Sequence, residues 1–203
     1  MKKESKDKVY NGTWTFKIDD VQPWAYYNNA FSKEECEEII KIGKEFNLQN
    51  AKVGIDKVNE VNKKIRLSKI SWLYPNEKTE WIFRRLTSYL TNLNEQYFKF
   101  DLFGLIEGLQ FTVYQSPDNF YHQHVDSSFG CTIRKLSMSL LLSDPKKYKG
   151  GDLKLYLGKE PIVLPKEQGK ILTFPSYTLH EVTPVTKGTR YSLVAWITGP
   201  QFK

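Results

Sequence analysis

Apolar side chains recur at helical spacing shortly after the first thirty residues. Ser32 and Glu35 form a capping-box pattern, in which each residue satisfies a free backbone N–H at the start of a helix. The apolar positions that follow are Cys36, Ile39, Ile40 and Phe46. Their spacing predicts an amphipathic helix, which Gly43 interrupts.

A second helical stripe is predicted to start near Asn76. Its apolar positions are Ile82, Leu86, Tyr89, Leu93 and Tyr97. Steps of three and four residues place these side chains on one face of a helix, which we expect to pack against a core.

From about residue 109 onward, short apolar runs separated by turn signals replace the helical pattern. The predicted strands are 109–114, 136–142, 152–157, 161–164, 170–174 and 191–198. Residues 136–140 alternate Leu, Ser, Met, Ser, Leu, which predicts a strand with a small polar face toward a cavity. Many short strands at this spacing predict an antiparallel sandwich or barrel.

Helices followed by strands predict a mainly β (α+β) fold in which the N-terminal helices buttress one sheet. The lysine-rich segment 1–10 reads as a flexible tail. We predict one domain over 11–203, with supporting elements in 11–105 and the β core in 106–203.

Composition indicates an ordinary soluble protein. Of the 203 residues, 40% are apolar and 26% charged, and the formal net charge is +7. This charge would suit an acidic partner, but no basic helix or aromatic-interleaved motif of nucleic-acid modules is present. The two cysteines, Cys36 and Cys131, read as reduced thiols. With no apolar run of membrane-spanning length and no signal-peptide pattern, we expect a cytoplasmic protein.

Candidate chemistry is concentrated around the histidines. His124 and Asp126 are two positions apart, so on a strand their side chains share one face. His180, 56 residues later, can return on a neighbouring strand. Two histidines and one carboxylate on one side of an ion form the facial triad of non-haem Fe(II) oxygenases.

An arginine follows the third candidate ligand at a spacing of ten residues. Arg190 carries a planar guanidinium, which pairs bidentately with a carboxylate such as the distal one of 2-oxoglutarate. Ser192 lies on the same strand face and can add a hydroxyl donor to that carboxylate.

The second half of the chain resembles a known enzyme family through motifs that occur in order over about 105–200. These motifs are Tyr121–Asp126, Arg134–Ser137, Asp144-Pro145, Tyr148–Leu153, Phe174–Ser176, His180, Pro184–Thr186 and Gly188–Val194. They are similar to those of prolyl-4-hydroxylase-like 2-oxoglutarate/Fe(II) oxygenases, and most similar to the PKHD-type hydroxylase branch. The first hundred residues match only loosely.

This resemblance implies a double-stranded β-helix (jelly roll) with Fe(II) held by His124, Asp126 and His180. It also implies 2-oxoglutarate bound by Arg190, with Tyr114 lining the co-substrate pocket or packing in the core, and ascorbate as reductant. His122 also precedes Asp126 at even spacing, which would put its imidazole on the same face as that of His124. We assign His122 to the surroundings of the ligands or the substrate, with a solvent-exposed position as the alternative. The remaining candidates for positions near the substrate are Tyr121, Arg134, Arg66 and Trp196.

The relatives suggest hydroxylation of a prolyl residue in a protein or peptide, with release of succinate and CO2. Residues 53–62, which lack strong periodicity, are interpreted as a loop that grips this substrate. A hydroxylase of a free amino acid or another small molecule is the main alternative. A nucleic-acid demethylase is disfavoured because Arg190 is followed by no Asn and second Arg, and an inactive jelly-roll binding module because all four site residues are present.

Overall fold

We describe the protein from a computed structural model that covers residues 22–55, 58–127 and 133–201. The predicted tail at 1–10 and Cys131 lie outside these residues. Within them, two α-helices are found, α1 at Lys33–Glu45 and α2 at Glu80–Leu93, and a π-helical turn, Asn94–Phe98, extends α2. Neither helix is long and apolar enough to cross a lipid bilayer.

Strands make up most of the rest of the described chain. In chain order they are β1 (Ala25–Tyr27), β2 (Gln49–Asn50), β3 (Val53–Ile55), β4 (Val58–Glu60), β5 (Arg66–Leu67), β6 (Lys69–Leu73), β7 (Leu109–Gln115), β8 (Asn119–His124), β9 (Arg134–Leu141), β10 (Lys149–Gly150), β11 (Leu153–Tyr156), β12 (Ile162–Val163), β13 (Ile171–Pro175), β14 (Leu179–Lys187) and β15 (Thr189–Thr198). A short 3₁₀ turn spans Pro145–Lys147.

The strands form two antiparallel sheets. The major sheet has the order β1-β13-β9-β15-β7-β6-β2, and the minor sheet has the order β12-β11-β14-β8-β5, with β10 paired to β14. Buried side chains of both sheets share one apolar cluster, so the sheets pack face to face. The prediction of a mainly β jelly roll is confirmed.

Central strands of the major sheet are buried on both faces. Leu193, Ala195 and Ile197 of β15 pack in one core with the buried faces of α1 and α2. The alternate residues Arg190, Ser192, Val194 and Trp196 line a cavity between the sheets. The predicted alternation in β9 is also confirmed, with Ser137 and Ser139 on the cavity face. The helices therefore buttress the sheet from behind and leave its polar face for the site.

Gly43 explains how closely α1 approaches the sheet. A Cβ atom placed on Gly43 would lie 2.4 Å from Cγ of Phe111 on β7. The residue that interrupts the apolar stripe therefore provides room for an aromatic ring. The predicted capping box is present, since Glu35 N–H donates to Ser32 Oγ and Ser32 N–H donates to Glu35 Oε2.

Two sequence predictions need correction. The second helix begins at Glu80 rather than near Asn76, because the residues from Asn76 to Thr79 form a hydrogen-bonded turn. Within the segment 53–62, interpreted above as a loop, residues 53–55 and 58–60 form strands β3 and β4, which pair as a two-stranded ladder. Its residues Val53, Ile55 and Val58 are β-branched, which favours strands.

The two longest strands that were not among the predicted runs are β8 and β14. Both carry polar side chains at many positions, so neither reads as an apolar run. They are nevertheless central neighbours in the minor sheet, and β14 is flanked by β11 and β8. These two strands carry His124 and His180, and the site is built on them.

Candidate metal centre

The three predicted metal ligands converge at one point of the cavity. His124 and His180 are directly opposite each other in the β8–β14 ladder. Asp126 follows the end of β8. Its Oδ1 atom lies 3.6 Å from His124 Nε2, and its Oδ2 atom lies 3.5 Å from His180 Nε2. All three ligand atoms lie within 4.8 Å of one another.

Backbone carbonyls fix the orientation of both imidazoles. Nδ1 of His124 lies 2.8 Å from the carbonyl oxygen of His122, and Nδ1 of His180 lies 2.9 Å from that of Thr178. A carbonyl only accepts hydrogen bonds, so each Nδ1 carries the proton and donates it. Each Nε2 is therefore the nitrogen left to bind a metal, and it faces Asp126, as in metal-binding histidines whose other nitrogen is held by a hydrogen bond.

Hydroxyl groups hold the carboxylate of Asp126. Ser137 Oγ donates to Asp126 Oδ2 at 2.6 Å, and Ser137 Oγ lies 3.0 Å from Ser176 Oγ. The backbone carbonyl of Ser176 accepts from the N–H groups of Asp126 and Ser127. This network connects the ligand-bearing turn to β9 and to the end of β13.

Electrostatics keep the donor set ready for a cation. Burial by itself would raise the pKa of Asp126, but the adjacent His180 and His124 rings and the Ser137 hydroxyl hold it well below its ordinary range. Burial outweighs the attraction of Asp126 and lowers the pKa of His180. Near neutral pH the site thus offers a carboxylate and an unprotonated imidazole.

The donor geometry fits a divalent ion. Zinc forms bonds of about 2.1 Å with imidazole nitrogen and carboxylate oxygen. At this bond length, neighbouring ligand atoms of an octahedral ion lie about 3 Å apart. The contacts of 3.5 and 3.6 Å are made by different oxygens of Asp126, and the three ligand atoms lie within 4.8 Å of one another, so the side chains would move closer together around a bound ion. Two imidazoles and one carboxylate suit Fe(II) and leave coordination positions open.

Arg190 is in the same cavity as the triad. Its side chain is 2% exposed, and Nη1 donates to Ser192 Oγ at 3.0 Å. Nε is buried and has no hydrogen-bond partner among the described residues. The guanidinium carbon lies 5.4 Å from the ring centroid of Tyr114, which also lines the cavity. A buried N–H without a hydrogen-bond partner on a positively charged guanidinium is an arrangement that suits a carboxylate ligand.

Tyr121 and Arg66 form a layer on the ligand side of the cavity. The Tyr121 ring stacks on His124 with a centroid separation of 3.5 Å, and the Arg66 guanidinium lies 4.5 Å from the Tyr121 ring centroid. Burial raises the pKa of Tyr121 to about 12, so the phenol keeps its proton. Both predicted residues line the cavity.

Arg134 and Trp196 lie on the side of the Asp126 backbone. Arg134 pairs with both carboxylate oxygens of Glu107, at 2.6 and 2.7 Å, and its guanidinium carbon lies 3.9 Å from the ring centroid of Trp196. Arg134 also donates to the Asp126 carbonyl at 3.4 Å. Trp196 also lines the cavity, and its buried Nε1–H has no hydrogen-bond partner among the described residues.

His122 is in a different position from the other candidates. The ladder between β8 and β14 shifts register, so that three residues of β8 span two of β14. This bulge turns Tyr121, rather than His122, to the cavity side of His124. The exposed His122 ring contacts Phe120 at 4.3 Å, and only the His122 carbonyl serves the centre. The argument that even spacing puts His122 and His124 on one face is therefore wrong.

Sequence reasoning did not single out four residues of the site, which are Ser137, Ser176, Gln110 and Glu107. The first two fix Asp126, Gln110 accepts from Arg66 at 2.8 Å, and Glu107 neutralises Arg134. The polar face of the alternating segment 136–140 was a signal for Ser137. The remaining partners are brought together by long-range packing.

Comparison with known proteins identifies the part of the chain that carries this centre. Residues 109–198 match the family model described as the 2OG-Fe(II) oxygenase superfamily. The match runs from β7 to β15 and includes all three candidate ligands and Arg190. The matched segment is 90 of the 203 residues, so the chain is similar to this superfamily over slightly less than half of its length.

The chain is also similar in sequence to PKHD-type hydroxylases. A PKHD-type hydroxylase of Prochlorococcus marinus is 41% identical over 93 residues, which is 45% of this chain and 42% of that protein. The resemblance predicted from the sequence is thus confirmed. The alignment covers less than half of the relative's own length.

Solved structures of superfamily members share the fold at low sequence identity. A Pseudomonas putida prolyl-4-hydroxylase aligns with a TM-score of 0.69 and 21% identity, covering 88% of this chain and 94% of that one. A prolyl hydroxylase in complex with a hypoxia inducible factor oxygen degradation domain peptide fragment, from Trichoplax adhaerens, aligns with a TM-score of 0.72 and 18% identity. The coverage in that case is 87% of this chain and 83% of the other. These alignments show that the fold extends well beyond the matched segment 109–198.

Proposed function

We propose that this protein is a 2-oxoglutarate- and O2-dependent hydroxylase that inserts oxygen into an unactivated C–H bond. One observation carries the proposal: the His124, Asp126 and His180 donor set shares a cavity with a buried arginine whose Nε has no partner among the described residues. The two histidines and the aspartate suit Fe(II), and the buried arginine suits the distal carboxylate of 2-oxoglutarate.

The chain's own residues have separate tasks in this proposal. His124, Asp126 and His180 would hold the iron, and Ser137 would keep Asp126 oriented. Arg190 and Ser192 would bind the distal carboxylate of 2-oxoglutarate, with the Tyr114 ring as one wall of its pocket. Bound Fe(II) would supply the oxidation, in which one oxygen atom enters the substrate and the other enters succinate as CO2 is released. Ascorbate would serve as the external reductant.

The finer proposal is that the hydroxylated group is a prolyl residue in a protein or peptide. It is supported by the names of the structural neighbours, which are prolyl hydroxylases, one of them in complex with a peptide. We further propose that residues 11–203 form one oxygenase domain and that the protein is cytoplasmic. A substrate-gripping role for the β3–β4 segment stays a prediction.

The reaction and its substrate class are tested together by product analysis. Purified protein with Fe(II), ascorbate and 2-oxoglutarate is incubated in air with proline-containing peptides and, separately, with free amino acids. We expect a mass gain of one oxygen atom on a prolyl residue, in equal amount to the succinate formed. A gain on a free amino acid alone would favour the small-molecule alternative. No gain on any substrate together with no succinate would contradict the proposal.

A further inference from the structure

Arg66 is the second buried arginine that lines the cavity. It is 6% exposed, and its backbone is held by the pairing of β5 with β8. Its Nε donates to Ser68 Oγ at 2.9 Å and its Nη2 donates to Gln110 Oε1 at 2.8 Å. A guanidinium has five N–H groups, so these two bonds fix its orientation and leave other donors available.

The positive charge of Arg66 has no carboxylate partner within the described ranges. Its neighbours Ser68, Gln110 and Tyr121 are neutral groups. In contrast, Arg134 is neutralised by Glu107 at 2.6 Å. A buried charge without a counter-ion is unfavourable, and such a charge is retained most readily where a ligand supplies the counter-ion.

Charge balance in the cavity points to the same conclusion. A divalent ion and the carboxylate of Asp126 leave one positive charge, and the two arginines raise this to three. A doubly charged 2-oxoglutarate cancels two of these, so one positive charge remains. If Arg190 binds the co-substrate, the uncompensated charge is that of Arg66.

We propose that Arg66 binds a carboxylate of the substrate, which makes it a specificity-determining residue. This rests on the proposed function, since it assigns Arg190 to 2-oxoglutarate. The carboxylate has two possible sources: the α-carboxylate of a free or C-terminal residue, or an acidic side chain next to the hydroxylated residue in a peptide. The buried Nε1–H of Trp196, unpaired among the described residues, supplies a further donor in the same cavity.

The test measures binding without turnover. Protein loaded with Mn(II) and 2-oxoglutarate in the absence of O2 is titrated with matched probes by isothermal titration calorimetry. One pair is N-acetyl-L-proline and N-acetyl-L-prolinamide, and the other is the blocked tetrapeptides Ala-Pro-Asp-Ala and Ala-Pro-Asn-Ala. The variants are Arg66→Gln and Arg66→Lys, with Arg84→Gln as the control because Arg84 is an exposed arginine of α2.

We expect the acid of at least one pair to bind about tenfold or more tightly than its amide, since a charge-assisted contact is lost in the amide. Arg66→Gln should erase this preference, whereas Arg66→Lys and Arg84→Gln should retain it. The pair that shows the preference identifies the source of the carboxylate. No preference for any acid in the wild type, or a preference that survives in Arg66→Gln, overturns the proposal.

Failure of the proposed function would look different. In that case the wild-type protein would not bind 2-oxoglutarate in the presence of Mn(II), before any probe is added. Unchanged affinity of Arg66→Gln for Mn(II) and 2-oxoglutarate would show that its site remains folded.

Discussion

The hydroxyl of Ser137 lies 2.6 Å from Oδ2 of Asp126 and donates a hydrogen bond to it. This bond joins β9 of the major sheet to the turn after β8 of the minor sheet, which carries the candidate ligand Asp126. The inner face of the sandwich therefore both lines the cavity and positions a ligand.

Replacing Ser137 with Ala should weaken metal binding about 10- to 100-fold, because outer partners of metal ligands typically contribute this much. The measurement is the Mn(II) affinity by calorimetry in the absence of O2. Ser139→Ala is the matched control, since Ser139 lies on the same cavity-lining face of β9. Equal Mn(II) affinities of Ser137→Ala and wild type would contradict the positioning role.

Replacing Arg190 with Met should abolish 2-oxoglutarate binding while preserving the stability of the free protein. The wild-type guanidinium is 2% exposed and has no carboxylate partner among the described residues, so its removal also removes an uncompensated buried charge. Thermal unfolding with and without 2-oxoglutarate, in the presence of Mn(II), measures both effects. At a concentration about 100 times its dissociation constant, 2-oxoglutarate should raise the free energy of unfolding of the wild type by about 2.7 kcal/mol. It should not change the free energy of unfolding of Arg190→Met. A ligand-dependent shift in the variant would refute this assignment.

Gly43→Ala should destabilise the protein by about 1–3 kcal/mol, the usual cost of overpacking. Helix propensity alone predicts the opposite sign, a gain of about 1 kcal/mol. The added Cβ would meet the Phe111 ring, whereas at Gly158 an added Cβ meets nothing within 4 Å. Urea unfolding of Gly43→Ala and Gly158→Ala decides the sign, and a stabilised Gly43→Ala would show that α1 is not held so closely to the sheet.

The thiol of Cys36 should make stability fall at alkaline pH. Burial raises the pKa of Cys36 to about 12, while an unfolded thiol ionises near 9. Between these values the unfolded state releases a proton that the folded state keeps, so stability is present below pH 9 and is lost above it. The stability difference between wild type and Cys36→Ala should shrink by about 1.4 kcal/mol from pH 8 to pH 10. A difference that is constant with pH would contradict this.

Much of the fold was predictable because the relevant signals are local. Short-range periodicity predicts the capping box at Ser32, the apolar stripe of α2 and the four long strands β7, β9, β13 and β15 of the major sheet. β8 and β14 escaped prediction because their side chains serve a polar cavity and the solvent, so they lack the apolar alternation of the other strands. The β3–β4 pair was missed because polar residues interrupt its β-branched ones, so the segment shows no strong periodicity.

The site also has features that the sequence predicts and features that it does not. The three candidate ligands and Arg190 could be singled out from the sequence because few residue types can perform the chemistry proposed for them. The positions of Tyr121 and His122 depend on a bulge between β8 and β14, which spacing in the sequence does not reveal. The contacts of Ser137 with Asp126, and of Gln110 with Arg66, join residues 11 and 44 positions apart and arise only when the sheets pack.

The central claim is that the triad and Arg190 together turn over 2-oxoglutarate. The most direct test is succinate formation in air by wild-type protein supplied with Fe(II), ascorbate and 2-oxoglutarate, compared with His180→Ala and Arg190→Gln. We predict that the wild type forms succinate and that His180→Ala forms none above background at any concentration of 2-oxoglutarate. Arg190→Gln should be slow at low 2-oxoglutarate and approach the wild-type rate at high 2-oxoglutarate. Succinate that His180→Ala forms as fast as the wild type, or no succinate from iron-loaded wild type, would contradict the claim.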